Sequence, residues 1–342
     1  MPARARFTRV AAKLVYLKPM NRTSSYKAGL AWFAALGSGW VFVLVALGAF
    51  TTSIGAGMAF ADWPLSNGSV NPHGWLTEID KFAEHSHRLS ASVMSTVTII
   101  LAGWIWLTES RSWLRKLALF AVGLVLTQAV VGGLRVLFDH LQVDLVNTSV
   151  GRLFAMLHAF LAQTFVCTLF AIAAACSRVW IERKAGLSRE PSTLVRRLGF
   201  WCVALIFMQL SIAAVVRHSF AGLAIPTFPF STPDGALIPA AWDFRVAIHF
   251  AHRLMAVVIS LAILTYGHFL WREPGAPTFL RWSGVLLAGL VGCQIYLGAQ
   301  IIWTGRSIYM TTGHVIVGAL TLATTFGVAF FTYRDSIERN CS

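Results

Sequence analysis

The chain alternates between long apolar runs and short polar segments, and the runs share one length. Eight of them, at about residues 30–52, 88–107, 114–137, 152–176, 194–216, 247–270, 279–303 and 309–332, carry few charges. A helix of about 20 residues crosses a hydrocarbon core of about 30 Å and satisfies its own backbone polar groups on the way. The pattern therefore predicts eight membrane-spanning helices. The first run follows a basic leader, but it is too long for a signal-peptide core and has no small-residue cleavage site, so it is expected to be retained.

Composition agrees: of 342 residues, 56% are hydrophobic and only 12% charged, against about 25% charged in soluble domains. The net charge of +14 raises nucleic acid as a partner, but its placement points to a lipid bilayer. The first 27 residues hold seven Lys or Arg and no acid. Arg111, Arg115 and Lys116 follow the second run, and six basic residues lie between Arg178 and Arg197, after the fourth. Arg272 and Arg281 flank the link after the sixth, and Arg334 and Arg339 lie in the tail, so 20 of 28 basic residues share one side. The opposite segments hold Asp62, Glu78, Asp80, Glu84, Asp139, Asp144, Asp234 and Asp243. The positive-inside rule then predicts both termini in the cytoplasm. Cys167, Cys176, Cys202, Cys293 and Cys341 avoid the outer segments and show no metal-ligand spacing, so they read as small apolar packing residues.

The chain also repeats itself. Gly57-x-Ala59-x-x-x-x-Pro64 leading to His87-Arg88 returns as Gly222-x-Ala224-x-x-x-x-Pro229 leading to His252-Arg253, every position displaced by 165 residues. Gln128-x-x-x-Gly132 returns as Gln294-x-x-x-Gly298 at an offset of 166, and His158 has a partner in His314. Such self-similarity marks a duplicated unit. The predicted architecture is an all-α integral membrane protein of two tandem, pseudo-symmetric four-helix bundles. Its parts are a basic cytoplasmic segment 1–29, a first bundle 30–182, a cytoplasmic linker 183–193, a second bundle 194–333 and a cytoplasmic tail 334–342. Two turn-rich loops, about 53–86 and 217–246, are expected to cap the bundles.

With both termini inside, the even helices begin at the outer surface, and His87, His158, His252 and His314 fall in their first turns at one depth. Ionisable residues inside a membrane are costly and mark function. Two neutral imidazoles on facing helices, with no cysteine or carboxylate cluster, suit the axial positions of a haem iron. Zinc would recruit three or four protein ligands. One pair per bundle predicts two haem sites.

The copies differ on one helical face, where Glu84-x-x-His87 becomes His249-x-x-His252. A carboxylate there can orient a ligand, take a proton or stabilise developing charge. The copies are therefore expected to have diverged in role, one bundle doing chemistry and the other carrying electrons. Arg88 and Arg253 read either as snorkelling cations or as partners for haem propionates. Trp63 and Phe228 read as covers for a porphyrin edge or as interfacial anchors. Gln128 and Gln294 need partners across helices or at a cofactor edge. His73, His140 and His218 read as solvated, His268 as a cation at a helix C-terminus, and His85 as facing away from His87.

At these residues the chain resembles the haem A synthase family, membrane enzymes that convert haem O to haem A for terminal oxidases. The resemblance is carried by Thr51-Thr52-Ser53-x-Gly55-x-Gly57-Met58-Ala59, Asp62-Trp63-Pro64, Glu84-x-x-His87-Arg88 and Gln128-x-x-x-Gly132-Gly133-Leu134. It continues through His252-Arg253, Leu297-Gly298-Ala299-Gln300 and Thr311-Thr312-Gly313-His314, in order across nearly the whole chain. It implies haem B between His252 and His314, and the substrate haem in the first half with His87 and His158 as ligands and Glu84 as the required acid. It implies oxidation of the C8 methyl of haem O to a formyl group by two hydroxylations, the second haem relaying electrons to a membrane acceptor. The protohaem farnesyltransferase that makes haem O is then a partner, and the inner membrane of a prokaryote the location. Some members carry a cysteine pair in the first outer loop; none stands here, which excludes a thiol-dependent step in that loop. The link at 138–149 is longer than its counterpart and either shapes access for the farnesyl tail or is an inert insertion. Two other classes stand beside this reading: a di-haem b-type cytochrome that only transfers electrons, and a repeat-built transporter, although such repeats are often inverted and their helices broken.

Overall fold

The computed structural model describes residues 22–143, 148–182 and 191–341. Most of the expected linker 183–193 and of the basic leader 1–29 lies outside the described residues, as do positions 144–147 of the link between the third and fourth helices. Among the described residues, eight helices are long and apolar enough to span a membrane: α1 Ala28–Ser53, α2 Ile79–Thr108, α3 Ser112–Leu137, α4 Val150–Cys176, α5 Thr193–His218, α6 Phe244–Arg272, α7 Thr278–Trp303 and α8 Ile308–Thr332. Side chains cap three of their starts: Ser149 accepts from the Arg152 N–H, Ser192 from Val195 and Asp243 from Val246. Gly55 and Gly305, both in the left-handed region at φ 78° and 60°, turn the chain out of α1 and α7.

In the first half α1 packs on α2 and α4, α2 on α3, and α3 on α4; in the second, α5 packs on α6 and α8, α6 on α7, and α7 on α8. Between the halves α8 packs on α1 and α4, and α4 on α5. These partners on two sides make α4 and α8 the most enclosed spans, 56% and 44% buried, against 17% for α6 and α7. Outward faces carry Trp32, Leu36, Trp201, Leu261 and Trp282, a surface for acyl chains.

Lipid is as apolar as leucine, so helix pairs in a membrane hold by close packing over small residues. Where α6 crosses α7, a Cβ on Gly284 would lie 2.9 Å from the Gly267 carbonyl oxygen, and one on Gly267 would lie 3.1 Å from that of Gly284. Gly284→Val is expected to force the crossing apart at a cost of about 1–3 kcal/mol. Thermal unfolding in detergent should show a melting point lower by several degrees; an unchanged one would mean the crossing adds nothing.

The end holding the α2–α3 link and the chain's tail is closed by a polar network. Trp180 is fully buried, its ring 4.8 Å from that of Phe330, and its Nε1 donates to Glu338 at 2.6 Å. Arg111 donates to Glu109 at 2.8 Å and to Glu338 at 3.2 Å, and Arg334 Nε donates to the Trp180 carbonyl at 2.7 Å. Burial works against the charge on Glu109, yet the adjacent Arg111 holds its carboxyl below the ordinary value. At the opposite end, here the cap end, Arg217 of α5 donates to the Ala49 carbonyl at 2.8 Å and to Ser53 Oγ at 3.0 Å, both on α1.

Candidate functional site

Three of the four histidines lie eight residues into their helices: His87 after Ile79, His158 after Val150 and His252 after Phe244; His314 lies six after Ile308. At about 1.5 Å per residue the first three sit roughly 12 Å below the helix starts and His314 about 9 Å below. All four therefore lie about two turns into their helices. The polar turns before His87 and His252 are helical because they pack beneath the cap loops, with Ala83, Glu84, His85 and His249 buried.

Each Gln-x-x-x-Gly motif seats a histidine. Gln128 Nε2 donates to the His158 carbonyl at 2.9 Å, and a Cβ at Gly132 would stand 3.2 Å from His158 Cε1. Gln294 Nε2 lies 3.2 Å from His314 Nε2, and a Cβ at Gly298 would stand 3.3 Å from His314 Cε1. Four residues apart on a helix, amide and glycine face the same way. The other two histidines use seats without a repeat signature. His87 packs on Gly48 of α1, where a Cβ would come within 2.9 Å of the imidazole, and Gln209 of α5 donates to the His252 carbonyl at 2.9 Å. Their counterparts 165 residues away are Ala213 and Leu44, which is why the repeat did not reveal them.

His252 and His314 face one another with ring centres 6.4 Å apart, planes tilted by 59°. Both line a cavity of about 540 Å³, which the second half shares with Gly57, Ala155, Ala159 and Gln163 of the first. The volume falls in the usual range for cofactor pockets. Metal–imidazole bonds of about 2 Å on either side of one ion place the ring centres roughly 6 Å apart, so this pair fits two axial ligands of a haem. In all four histidines Nδ1 is buried without a hydrogen-bond partner. Among the described residues no group of three or more His, Cys, Asp or Glu could hold a metal, so a tetrahedral site has no donor set there.

The cap loops are held by matching bonds. In the first half the Phe60 N–H donates to Glu84 Oε2 at 3.1 Å, while Arg88 donates to the carbonyls of Phe60 at 3.3 Å and Leu65 at 2.5 Å. In the second, 165 residues on, the Ile225 N–H donates to His249 Nδ1 at 3.3 Å. Arg253 donates there to the carbonyls of Ile225 at 2.9 Å and Phe230 at 3.3 Å. Glu84 and His249 therefore do the same job for the loop. Each also meets its own arginine one turn on: Glu84 pairs with Arg88, and Arg253 Nε lies 3.3 Å from His249 Nε2. A carboxylate accepts both bonds at once, whereas a neutral imidazole has one acceptor nitrogen, so the first clamp is the stronger. Both loops also contain a cis peptide at matching places, Trp63–Pro64 and Phe228–Pro229. Asp62 tightens the first loop by accepting from the Asn67 and Gly68 N–H groups, each at 2.7 Å. Desolvation raises the pKa of this carboxyl, but those N–H groups and the Arg88 charge hold it below the ordinary value.

The remaining sequence candidates separate. Phe228 lines the cavity, its ring 6.0 Å from that of Trp303, whereas Trp63 lies against Gly133 of α3. His85 turns away from His87, as expected, onto Ser66 Oγ at 3.0 Å and the Trp75 ring at 4.8 Å. His73, His140 and His268 are exposed. His218, expected in solvent, instead lines the cavity, because α5 continues to it. Sequence reasoning also missed Arg135, Arg152, Arg217 and Arg306, which line the cavity at the cap end. The signal was present in the eight basic residues left over from the positive-inside count.

Fold and site together define a polytopic helical membrane protein with a cofactor-sized cavity closed on facing imidazoles. A family model described as Cytochrome oxidase assembly protein matches residues 76–326, and the chain belongs to that family. It is similar to a Heme A synthase of Halalkalibacterium halodurans, 25% identical over 313 residues that cover 89% of this chain and 97% of the relative. It is likewise similar to a Heme A synthase of Listeria monocytogenes serotype 4a, 23% identical with 87% and 93% covered. A third relative of that name, from Alkalihalophilus pseudofirmus, is 26% identical with 81% and 88% covered.

Proposed function

We propose that this protein is a membrane oxidoreductase that oxidises the C8 methyl of haem O to the formyl group of haem A. The observation that carries the reading is the His252–His314 pair, 6.4 Å between ring centres, in a chain whose relatives are named for haem A synthesis. In this reading haem B lies between His252 and His314, and haem O is held in the first half by His87 and His158. When bound, haem B supplies one-electron redox chemistry. The chain's own part is positional: Gly48, Gly132 and Gly298 make room for imidazoles, Gln128 and Gln209 hold the backbone beside two of them, and the cap loops exclude water. The methyl takes oxygen from water twice, each step releasing two electrons and two protons, and the gem-diol loses one water to leave the aldehyde. Glu84, one helical turn before His87, is the acid–base group for the protons released, and electrons leave for a membrane acceptor. The protohaem farnesyltransferase that makes haem O acts one step earlier and is a partner. The cap end faces outward from the inner membrane of a prokaryote, with both termini in the cytoplasm and the halves divided as 30–182 and 194–333.

The test is expression in a host that makes haem O but no haem A, then extraction and mass analysis of the bound pigments. Haem B with haem O or haem A is the expected result. Two equivalents of haem B and no formyl product would favour a di-haem cytochrome. That second reading has one observation behind it: Glu84 and His249 hold matching backbone N–H groups, those of Phe60 and Ile225, so the difference between the halves has a structural cause as well.

A further inference from the structure

Resting on the haem reading above, we propose that Arg135, Arg152, Arg217 and Arg306 form an anion site for the carboxylates of the porphyrin held by His252 and His314. Two of the four come from the other half of the chain, so each half completes a pocket that neither closes alone.

All four line the cavity that contains the two imidazoles, and all four stand at its cap end. Arg135 is two residues from the end of α3, Arg152 two from the start of α4, Arg217 next to the end of α5, and Arg306 in the turn between α7 and α8. His252 and His314 lie about two turns deeper, so the arginines stand between that pair and the cap end of the cavity.

The charge around the cavity does not balance. Among the described residues Asp139 is the one carboxylate lining it, and it already accepts from Ser149 Oγ at 2.8 Å. Arg253 also lines the cavity, but its guanidinium is engaged with the cap loop. The Arg135 side chain has no hydrogen bond or ion pair among the described residues, and Arg152 lies over the Phe220 ring at 5.1 Å, which leaves its N–H edge open. Among the described residues Arg217 hydrogen-bonds a carbonyl and a hydroxyl and no carboxylate. Enclosing several guanidinium groups at the end of a membrane bundle is costly without counter-anions. Guanidinium matches carboxylate in planar, two-point geometry, which a lysine cannot reproduce.

The arrangement is specific to this cavity. The Arg135 guanidinium lies against Gly57, where a Cβ would displace it. In the second half the counterpart glycine, Gly222, faces open space, and the position 166 residues after Arg135 is Ile301. Arg217 likewise falls on Thr52 in the first half. The duplication therefore did not supply these cations in pairs; they converge on one site.

The experiment uses the full-length protein stripped of pigment in detergent, titrated with protohaem and separately with its dimethyl ester, which keeps the iron and loses both charges. Soret absorption reads the two affinities. The wild type is expected to prefer the diacid by roughly ten-fold for each arginine engaged. The Arg135→Gln/Arg217→Gln variant should lose most of that preference with ester affinity unchanged, and Arg135→Lys/Arg217→Lys should keep part of it. A wild type that binds acid and ester alike overturns the assignment while leaving the haem site intact. That is also the outcome expected were phospholipid phosphates the anions. Equal weakening of both ligands in the variants overturns it too. A wild type that binds neither brings down the haem reading, and this assignment with it.

Discussion

His314→Ala is expected to remove the second-half haem almost entirely. The imidazole is one of two facing donors with ring centres 6.4 Å apart, and none of the cavity's other lining side chains stands in the Gln294–Gly298 seat. Loss of a group that merely supports a metal ligand costs about 10–100-fold in affinity, and loss of the ligand itself should cost more. Absorption in the Soret band per protein should fall by the share that this site contributes, and the two-imidazole spectrum of the remainder should be unaltered. His268→Ala, on an exposed position at the other end of α6, should change neither. A His314→Ala protein that keeps its full pigment complement would show that the pair does not hold iron.

The second large effect concerns Glu84, where two substitutions separate structure from chemistry. Glu84→Ala removes the acceptor for the Phe60 N–H and the partner of Arg88 in a buried place. Breaking a buried charge pair costs about 3–5 kcal/mol, so the variant should unfold at clearly lower temperature and lose the cap over the first half. Glu84→His installs the residue that performs the same task at His249. It should recover much of that stability, less the one bond a single acceptor nitrogen cannot make. If Glu84 moves protons, Glu84→His should still slow formyl production by about 10²–10⁴-fold. Stable protein with normal haem A output from Glu84→His would reduce Glu84 to a loop anchor. Stability is read by thermal unfolding and output by pigment extraction, so the two roles cannot be confused.

Much of the site was legible because duplication works as an internal comparison. The repeated histidines, the Gln-x-x-x-Gly pairs and the Glu84–His249 asymmetry all stand out when the halves are laid over one another; the Gln-x-x-x-Gly pairs seat His158 and His314, and Glu84 and His249 hold matching loop N–H groups. What the repeat could not reveal were residues that serve one half only. Gly48 and Gln209 have an alanine and a leucine as counterparts, and Arg135 and Arg217 have an isoleucine and a threonine. The same limit explains the helix starts. The polar turns before His87 and His252 lack an apolar run, and they are helical because the cap loops cover them.

The sequence alone determined the number of the spans, since the thickness of the bilayer leaves a backbone little choice. It also determined the repeat unit and which histidines share a depth, both properties of spacing along one chain. Tertiary structure decided the rest: that α4 and α8 join the halves, that Glu84 and Arg88 are tied to a loop rather than free, and that arginines from both halves meet over one cavity. Those facts depend on which helices become neighbours, and in a membrane small-residue close packing selects neighbours through shape that no periodicity records.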